Sequence, residues 1–313
     1  MPDFDTARRL AAAALGSEPA EIRRFNTGSA HYVFEVLFRD RAPVVIRIAI
    51  SQNRGALAGA LALSHILRPL GVPLPQILAE GLDHEFPYLI LERLPGVDLG
   101  NAIGDLPRSS LDAIAASVAA AQSVVARLPS AGRYGYGVKP QEAPHTQWHC
   151  VLNDNLNRSR ERIKSARLFD TTPVDRVMAL VSAAQAALDC LPSTAFLHDT
   201  TTKNVIVSPE GRFSGIVDVD DLCFGDPRYV VALTLAALLA SGGPIDYVDA
   251  WMRLASFRDD YIFRLYVAMF IVDLMSEHGQ VFNGNQTRSN PGDRQRLMHV
   301  FTECLKRLDA VGR

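Results

Sequence analysis

The sequence predicts an α+β chain of two unequal lobes, and three observations lead to this prediction. Short runs of β-branched and alternating apolar residues, typical of strands, dominate residues 1–95. Apolar residues at helical spacing dominate residues 96–313. A single predicted strand pair, within residues 196–219, interrupts the helical part. We therefore expect a small antiparallel sheet with a helix in the first lobe, and a larger, mainly helical second lobe.

The N-terminal lobe is predicted to contain one main helix inserted in its sheet. Helical spacing covers residues 6–15 and 55–70, and the second segment ends at Gly71. The predicted strands cover residues 32–38, 44–50, 77–81 and 87–94. Pro95-Gly96 is then the natural hinge between the lobes.

The C-terminal lobe is predicted to consist of helices around one embedded hairpin. The segments of helical character are 109–128, 147–166, 173–191, 229–240, 246–255, 259–278 and 293–310. The apolar run 229–240 is too short to cross a bilayer, so we expect a buried core helix there. A small mixed lobe followed by a helical lobe with a hairpin is the layout of a protein kinase-like fold.

Composition argues against several classes of protein. The hydrophobic fraction of 48% fits a packed core, and the formal net charge of −2 provides no basic field for nucleic acid or an anionic membrane. The four cysteines form no C-x-x-C pair, which fits a reducing, cytoplasmic location. The sequence leaves the oligomeric state open.

Three polar residues around the predicted hairpin have the pattern of a phosphoryl-transfer site. Asp199 lies five residues before Asn204, and Asp218 follows fourteen residues after Asn204. A hairpin brings its two ends together, so Asn204 and Asp218 are expected to face each other and to bind Mg²⁺ through oxygen atoms. Asp199 is placed to accept a proton from a hydroxyl. The alternative is that each of these residues only forms a turn or caps an element.

The motifs Asp199-x-x-x-x-Asn204, Ile216-Val-Asp218 and Gly225-Asp-Pro resemble those of the aminoglycoside phosphotransferase and choline kinase-like family. Members of that family are small-molecule kinases of protein kinase-like fold. The resemblance implies transfer of the γ-phosphate of ATP, with Mg²⁺, to a hydroxyl of a small molecule. An aminoglycoside-like antibiotic, choline or ethanolamine, homoserine and a sugar are all open as acceptors, and so is a preference for ATP or GTP.

The same resemblance implies that the N-terminal lobe binds the nucleotide and that the C-terminal lobe binds the acceptor. Gly28 and Ser29 would form the phosphate loop, and Arg47 would contact the phosphates as the family's substitute for a lysine. The Glu92 carbonyl and the Leu94 N–H would pair with adenine. The alternatives are a simple hairpin turn at Gly28 and an exposed arginine at the sheet edge for Arg47.

The sequence departs from the family pattern at three places. No acidic residue occurs between Asp40 and Glu80, so the helix lacks the usual glutamate partner for Arg47. His198 precedes Asp199 where the family has glycine, and Val230 stands where a helix usually supplies an aspartate that braces the catalytic loop. Compensating contacts are expected from Asp220, Asp221 or Asp226. These departures support an alternative function, a nucleotide-binding protein of kinase fold with little or no transfer activity.

Asp273 and Glu277 are the candidate substrate-binding residues. They lie four residues apart within a predicted helix and therefore share one of its faces. Two carboxylates there would suit a cationic acceptor. The alternative is a solvated helix face.

Overall fold

The computed structural model of the chain describes residues 1–25, 31–282, 285–286 and 289–311. Its first lobe is an antiparallel sheet with two helices, in the chain order α1 (Phe4–Leu15), β1 (Glu21–Arg24), β2 (Tyr32–Leu37), β3 (Val44–Ile48), α2 (Arg54–Leu67), β4 (Ile77–Gly81) and β5 (Tyr88–Glu92). The strands lie in the order β1–β2–β3–β5–β4, so β3 is the middle strand. The small antiparallel sheet with a helix predicted for this lobe is thereby confirmed.

The two helices of the first lobe cover opposite faces of this sheet. Ile46 and Ile48 of β3 pack with Leu10 of α1, whereas Leu89 of β5 packs with Leu57 of α2. Side chains alternate between the two faces of a strand. Arg47, between Ile46 and Ile48, therefore projects to the α2 side, where the second lobe begins.

The second lobe is a bundle of helices packed around one central helix. These helices are α3 (Leu99–Ala102), α4 (Arg108–Val125), α5 (Trp148–Ala166), α6 (Thr172–Asp189), α7 (Arg228–Ser241), α8 (Asp246–Leu254), α9 (Tyr261–Glu277) and α10 (Pro291–Val311). Helix α9 contacts α5, α6, α7 and α10 and is buried along most of its length. The predicted core helix is α7, with Tyr229 and Val230 each 1% exposed. None of the helices in the described ranges has the length and apolar character needed to cross a membrane.

Short strands are more numerous in the second lobe than the sequence predicted. They are β6 (Val97–Asp98), β7 (Gly135–Gly137), β8 (Thr194–Phe196), β9 (Val205–Val207), β10 (Phe213–Ile216), β11 (Leu222–Gly225), β12 (Val281–Phe282) and β13 (Asn285–Gln286). The predicted hairpin is β9–β10. The expectation that it alone interrupts the helices is wrong, because β7, β11 and β8 form a second sheet. Strands of three or four residues carry little periodicity, so long-range pairing rather than local sequence determines them.

The predicted hinge between the lobes lies in close contact with the backbone of the second lobe. Gly96 has a φ of 106°, and a Cβ built on it would lie 1.8 Å from the Val207 carbonyl oxygen, so only glycine fits. The two lobes also share apolar packing, since Leu63 and Leu67 of α2 belong to the same buried cluster as Val125 and Ile216. A domain boundary at residue 95 stays a prediction.

Helix α2 approaches the second lobe through Gly59. A Cβ built on Gly59 would lie 2.2 Å from the Asp220 carbonyl oxygen and 3.2 Å from Val138 Cγ2. The absent side chain is therefore what allows the α2 backbone to lie directly against the segment that follows Asp218.

Gly59→Ala is expected to destabilise the protein by about 1–3 kcal/mol, because the new methyl group meets backbone that cannot move without shifting a lobe. Gly55→Ala is the matched control, since a Cβ on Gly55 meets no described atom within 4 Å. In the same helix it should be neutral or stabilise by about 0.5–1 kcal/mol. Chemical denaturation of both variants measures this difference, and equal effects would contradict the packing argument.

Candidate active site

The loop between β8 and β9, residues 197–204, carries Asp199 and Asn204. The Asn204 side-chain nitrogen donates to the Asp199 carbonyl oxygen and to its Oδ2, both at 2.9 Å. The Asn204 carbonyl accepts from the Val217 N–H at 2.9 Å, which brings the residue before Asp218 against the loop. Because the side-chain nitrogen of Asn204 is bonded to Asp199, its side-chain oxygen is the atom that can bind a cation.

The environment of Asp199 makes its carboxylate more basic than an exposed one. Burial raises the pKa of the Asp199 carboxyl, and the negative charge of Asp218 acts in the same direction. The positive charges of His198 and Lys203 and the hydrogen bond from Asn204 oppose this rise without cancelling it. A carboxylate with a raised pKa is the stronger base.

Arg47 is buried in the middle strand and forms ion pairs with the second lobe. Its Nη2 lies 2.6 Å from Asp218 Oδ1 and 3.0 Å from Asp220 Oδ2. The residue is 6% exposed, so the alternative of an exposed arginine at a sheet edge is wrong. Asp218 has a φ of 62°, a conformation that costs a residue with a side chain about 1–3 kcal/mol. The bond from Arg47 helps to hold Asp218 in it.

Asp220 supplies the carboxylate that the helix lacks. Helix α2 has no acidic residue, but its Gly59 admits the Asp220 backbone, and the Asp220 side chain reaches Arg47 from there. Burial raises the pKa of Asp220 to about 6; Arg47 opposes the rise and Asp218 adds to it. The partner of the strand cation thus comes from the loop after β10 instead of from α2.

His31 completes the surroundings of Arg47. Its Nδ1 accepts a hydrogen bond from Arg47 Nη2 at 2.8 Å. Burial and the positive charge of Arg47 lower the pKa of His31 to about 4, with Asp218 opposing, so the ring is neutral at physiological pH. Ligand atoms of His31, Asp218 and Asp220 all lie within 4.8 Å of one another. Asp220 was one of three aspartates expected from the sequence to compensate for the departures from the family pattern, whereas His31 was missed because it was visible only as a neighbour of a predicted turn.

The residues expected at the nucleotide lie at the junction of the lobes or outside the described ranges. Glu92 ends β5 and is exposed; its N–H donates to the Gln76 carbonyl at 2.8 Å. Leu94 is 9% exposed, in the segment that leads to the second lobe. Gly28 and Ser29 lie outside the described residues. The adenine and phosphate contacts assigned to these four residues stay predictions.

His198 is held by Asp221 and by an aromatic ring. Its Nε2 is hydrogen-bonded to Asp221 Oδ1, and Tyr136 packs edge-on against it with ring centroids 4.9 Å apart. Burial alone would lower the pKa of His198, but the hydrogen bond and charge of Asp221, with the charges of Asp199 and Asp220, outweigh burial and raise it. Among the three aspartates expected to compensate for the departures, Asp221 is therefore the one bonded to the 197–204 loop.

Asp226 connects the start of α7 with α9 in the second lobe. It accepts hydrogen bonds from Arg228 and, at 3.0 Å, from the Tyr266 hydroxyl of α9. Arg228 also pairs with Asp260, the residue before α9. The Gly225-Asp226-Pro227 motif therefore fixes the start of α7 on α9.

The two candidate substrate residues have different environments on α9. Asp273 accepts from Ser159 Oγ at 2.9 Å and pairs with Arg158 at 3.2 Å, and its side chain is 14% exposed. A solvated helix face is therefore wrong for Asp273. Glu277 is partly buried; burial and Asp273 raise its pKa, while Lys203 of the 197–204 loop and Arg162 oppose the rise. Glu277 is thus within electrostatic reach of the loop that carries Asp199.

The fold and this site together define a protein of the kinase-like class. A model of the phosphotransferase enzyme family matches residues 21–264, and the chain belongs to that family. The hygromycin-B 4-O-kinase of Escherichia coli is 27% identical over 167 residues, which are 51% of this chain and 47% of that protein. The match therefore spans about half the length of this curated relative.

Solved structures of aminoglycoside phosphotransferases share the whole fold. APH(4)-Ia superimposes with a TM-score of 0.64 at 18% identity, covering 99% of this chain and 100% of that one. A thermostable mutant of APH(4)-Ia in ternary complex with AMP-PNP and hygromycin B gives a TM-score of 0.63 at 17% identity, covering 98% and 99%. The complex of APH(2″)-IIIa with GDP and kanamycin gives a TM-score of 0.65 at 17% identity, covering 96% of each chain. The predicted kinase-like fold is thereby confirmed.

The His198–Asp221 pair is expected to make stability depend on pH. The pKa of His198 in the folded protein lies above its ordinary value of 6.5. The stabilisation is therefore fully present below about pH 6.5 and is lost as the pH rises through the folded value. The free energy of unfolding of the wild type minus that of His198→Gln should be largest in mildly acidic buffer and shrink above neutrality.

The difference in the free energy of unfolding between the two proteins is the quantity to measure. Asp199 and Asp220 also face His198 and titrate in both proteins, so their own contributions largely cancel in that difference. His65→Gln, at an exposed histidine of α2, is the control for loss of a histidine and should change the free energy of unfolding little. A pH-independent effect of His198→Gln would contradict the assignment of a charged histidine.

Proposed function

We propose that the protein is a small-molecule kinase that transfers the γ-phosphate of ATP to a hydroxyl, with Mg²⁺ as the metal ion. The observation that carries the proposal is the convergence of Asp199, Asn204 and Asp218 beside Arg47. Asn204 is bonded to Asp199 at 2.9 Å, and Asp218 to Arg47 at 2.6 Å. A base, two oxygen ligands and a phosphate-binding cation thus come from both lobes to one cleft.

The transfer step follows from this arrangement. The acceptor hydroxyl gives its proton to the Asp199 carboxylate while its oxygen forms a bond to the γ-phosphorus. The bond between that phosphorus and the β–γ bridging oxygen breaks, and ADP leaves with the electron pair. Arg47 compensates negative charge on the phosphates, so the protein contributes mainly position and charge.

The residues at this place fit a magnesium ion. Asn204 and Asp218 would bind it through oxygen atoms, and Asp220 adds a second carboxylate nearby; amide and carboxylate oxygens are the hard donors that Mg²⁺ prefers. When bound, the ion would neutralise charge on the phosphate oxygens. In the protein alone, Arg47 compensates the charge of Asp218 and Asp220.

An aminoglycoside-like acceptor is the first candidate, because the curated relative is a hygromycin-B kinase and related structures contain hygromycin B or kanamycin. Glu277 of α9 supports a cationic acceptor, since its carboxyl is partly buried and within electrostatic reach of Lys203 in the loop that carries Asp199. Choline, ethanolamine, homoserine and sugars belong in the same assay panel.

Asp199→Asn is expected to lower kcat by about 10²–10⁴-fold, because it removes the proton acceptor. Binding of ATP should change little, since Asp199 contacts Asn204 and not Arg47. The measurement is Mg²⁺-dependent transfer from γ-labelled ATP across the acceptor panel. Asp83→Asn, at a fully exposed carboxylate of the first lobe, is the control and should be fully active.

Transfer to one acceptor that is lost in Asp199→Asn would support both the reaction and the role of Asp199. Near wild-type kcat in Asp199→Asn would overturn that role. Nucleotide binding without transfer to any acceptor would favour the alternative of a kinase-fold protein that only binds.

Glu277→Gln is expected to raise KM for a cationic acceptor about 10-fold, because the attraction between the partly buried carboxylate and the acceptor's positive charge, worth roughly 1.4 kcal/mol, is lost. KM for ATP should stay unchanged. Glu161→Gln, at an exposed glutamate of α5, is the matched control. An unchanged KM for the acceptor in Glu277→Gln would remove Glu277 from the substrate site.

A further inference from the structure

Gln122 is a polar residue on the buried face of α4. It is 8% exposed and follows Val118 by one helical turn, on the side where Ile114 and Val125 are also buried. A buried amide is costly unless its donors and acceptor all find partners. The partners of Gln122 belong to the catalytic loop.

The Gln122 amide forms a closed set of hydrogen bonds with Leu197 and Thr200. The Leu197 N–H donates to Gln122 Oε1 at 3.0 Å, and Gln122 Nε2 donates to the Leu197 carbonyl at 2.9 Å. Nε2 also donates to Thr200 Oγ1 at 2.6 Å, and this hydroxyl donates to the Leu197 carbonyl at 3.0 Å. The opposite orientation of the amide would set its NH₂ against the Leu197 N–H, so the network fixes the orientation.

These bonds hold the loop on both sides of Asp199. Leu197 precedes the His198-Asp199 pair, and Thr200 follows it. Val230, where an aspartate was expected to brace the loop, is 1% exposed and has an apolar side chain. The polar anchor of the loop therefore comes from α4.

We propose that Gln122 is the positioning residue of the catalytic loop. Through Leu197 and Thr200 it sets the direction of the Asp199 carboxylate, and so it acts on the transfer step without touching the reacting atoms. This inference rests on the proposed kinase function.

The test is Gln122→Met, which keeps the length and apolar volume of the side chain but removes the amide. We expect kcat to fall about 10- to 100-fold, because a displacement of the base by about 1 Å has an effect of that size. KM for ATP should change less than about threefold, since Arg47 and β5 are untouched. Val118→Ala is the control: it creates a cavity in the same helix, destabilises the protein and leaves the loop contacts in place.

A double variant separates a positioning role of Gln122 from a merely structural one. If Gln122 acts through Asp199, adding Gln122→Met to Asp199→Asn should reduce kcat less than about twofold further. A kcat of Gln122→Met like the wild type, an equal loss in Val118→Ala, or full additivity with Asp199→Asn would each overturn the proposal.

Hydrogen exchange of the peptide containing residues 197–204 gives a readout that needs no activity. Exchange should be faster in Gln122→Met and unchanged in Val118→Ala after correction for global stability. Absence of transfer by the wild type would refute the proposed function, whereas unchanged exchange in Gln122→Met would refute the anchor. The two failures are therefore distinguishable.

Discussion

The buried guanidinium of Arg47 is the interaction on which the cleft depends. A guanidinium keeps its charge at every physiological pH, so burial requires partners of opposite charge. Here the partners come from the other lobe, as Asp218 and Asp220, with neutral His31 accepting a further bond. Apolar packing of α2 brings the lobes together, and this charge compensation sets where the loop after β10 lies. The close approach at Gly59 is the steric condition for it.

The same charges determine what can enter the cleft. Arg47 holds Asp218, which is also the proposed metal ligand. If a cation bound alone, it would neutralise Asp218 and leave the positive charge of Arg47 without that partner. If a phosphate bound alone, it would take Arg47 as its partner and leave the negative charge of Asp218 uncompensated. A phosphate group and a cation arriving together give both residues a new partner. On the proposed function, nucleotide and Mg²⁺ are therefore expected to bind as one unit, at little electrostatic cost.

The sequence predicted the two lobes, most helices and the β9–β10 hairpin, because each has a strong local period or a turn signal. It also indicated Asp199, Asn204 and Asp218 through their spacing, and the structure brings them to one cleft. It named Asp220 only as one of three possible compensating aspartates, and it did not predict the contact of His31 with Arg47 or the role of Gln122, which depend on residues distant in sequence. Gln122 had one local signal, a polar residue within the apolar face of a helix. The short sheet of β7, β11 and β8 had no such signal, since its strands have only three or four residues and pair with segments distant in sequence.

The departures from the family pattern bear on whether the site works. Each occurs with a substitute from another element: Asp220 for the helix glutamate, Gln122 for the bracing aspartate, and Asp221 as the partner of His198. A protein that only bound nucleotide would need order around Arg47, but it would gain nothing from a fixed carboxylate at Asp199. The chain instead buries a fully bonded amide under that loop, and loss of this amide would leave the buried Leu197 N–H without its acceptor, at a cost of about 1–3 kcal/mol. The order of the loop around Asp199, the proposed proton acceptor, therefore favours an active transferase over a protein that only binds nucleotide.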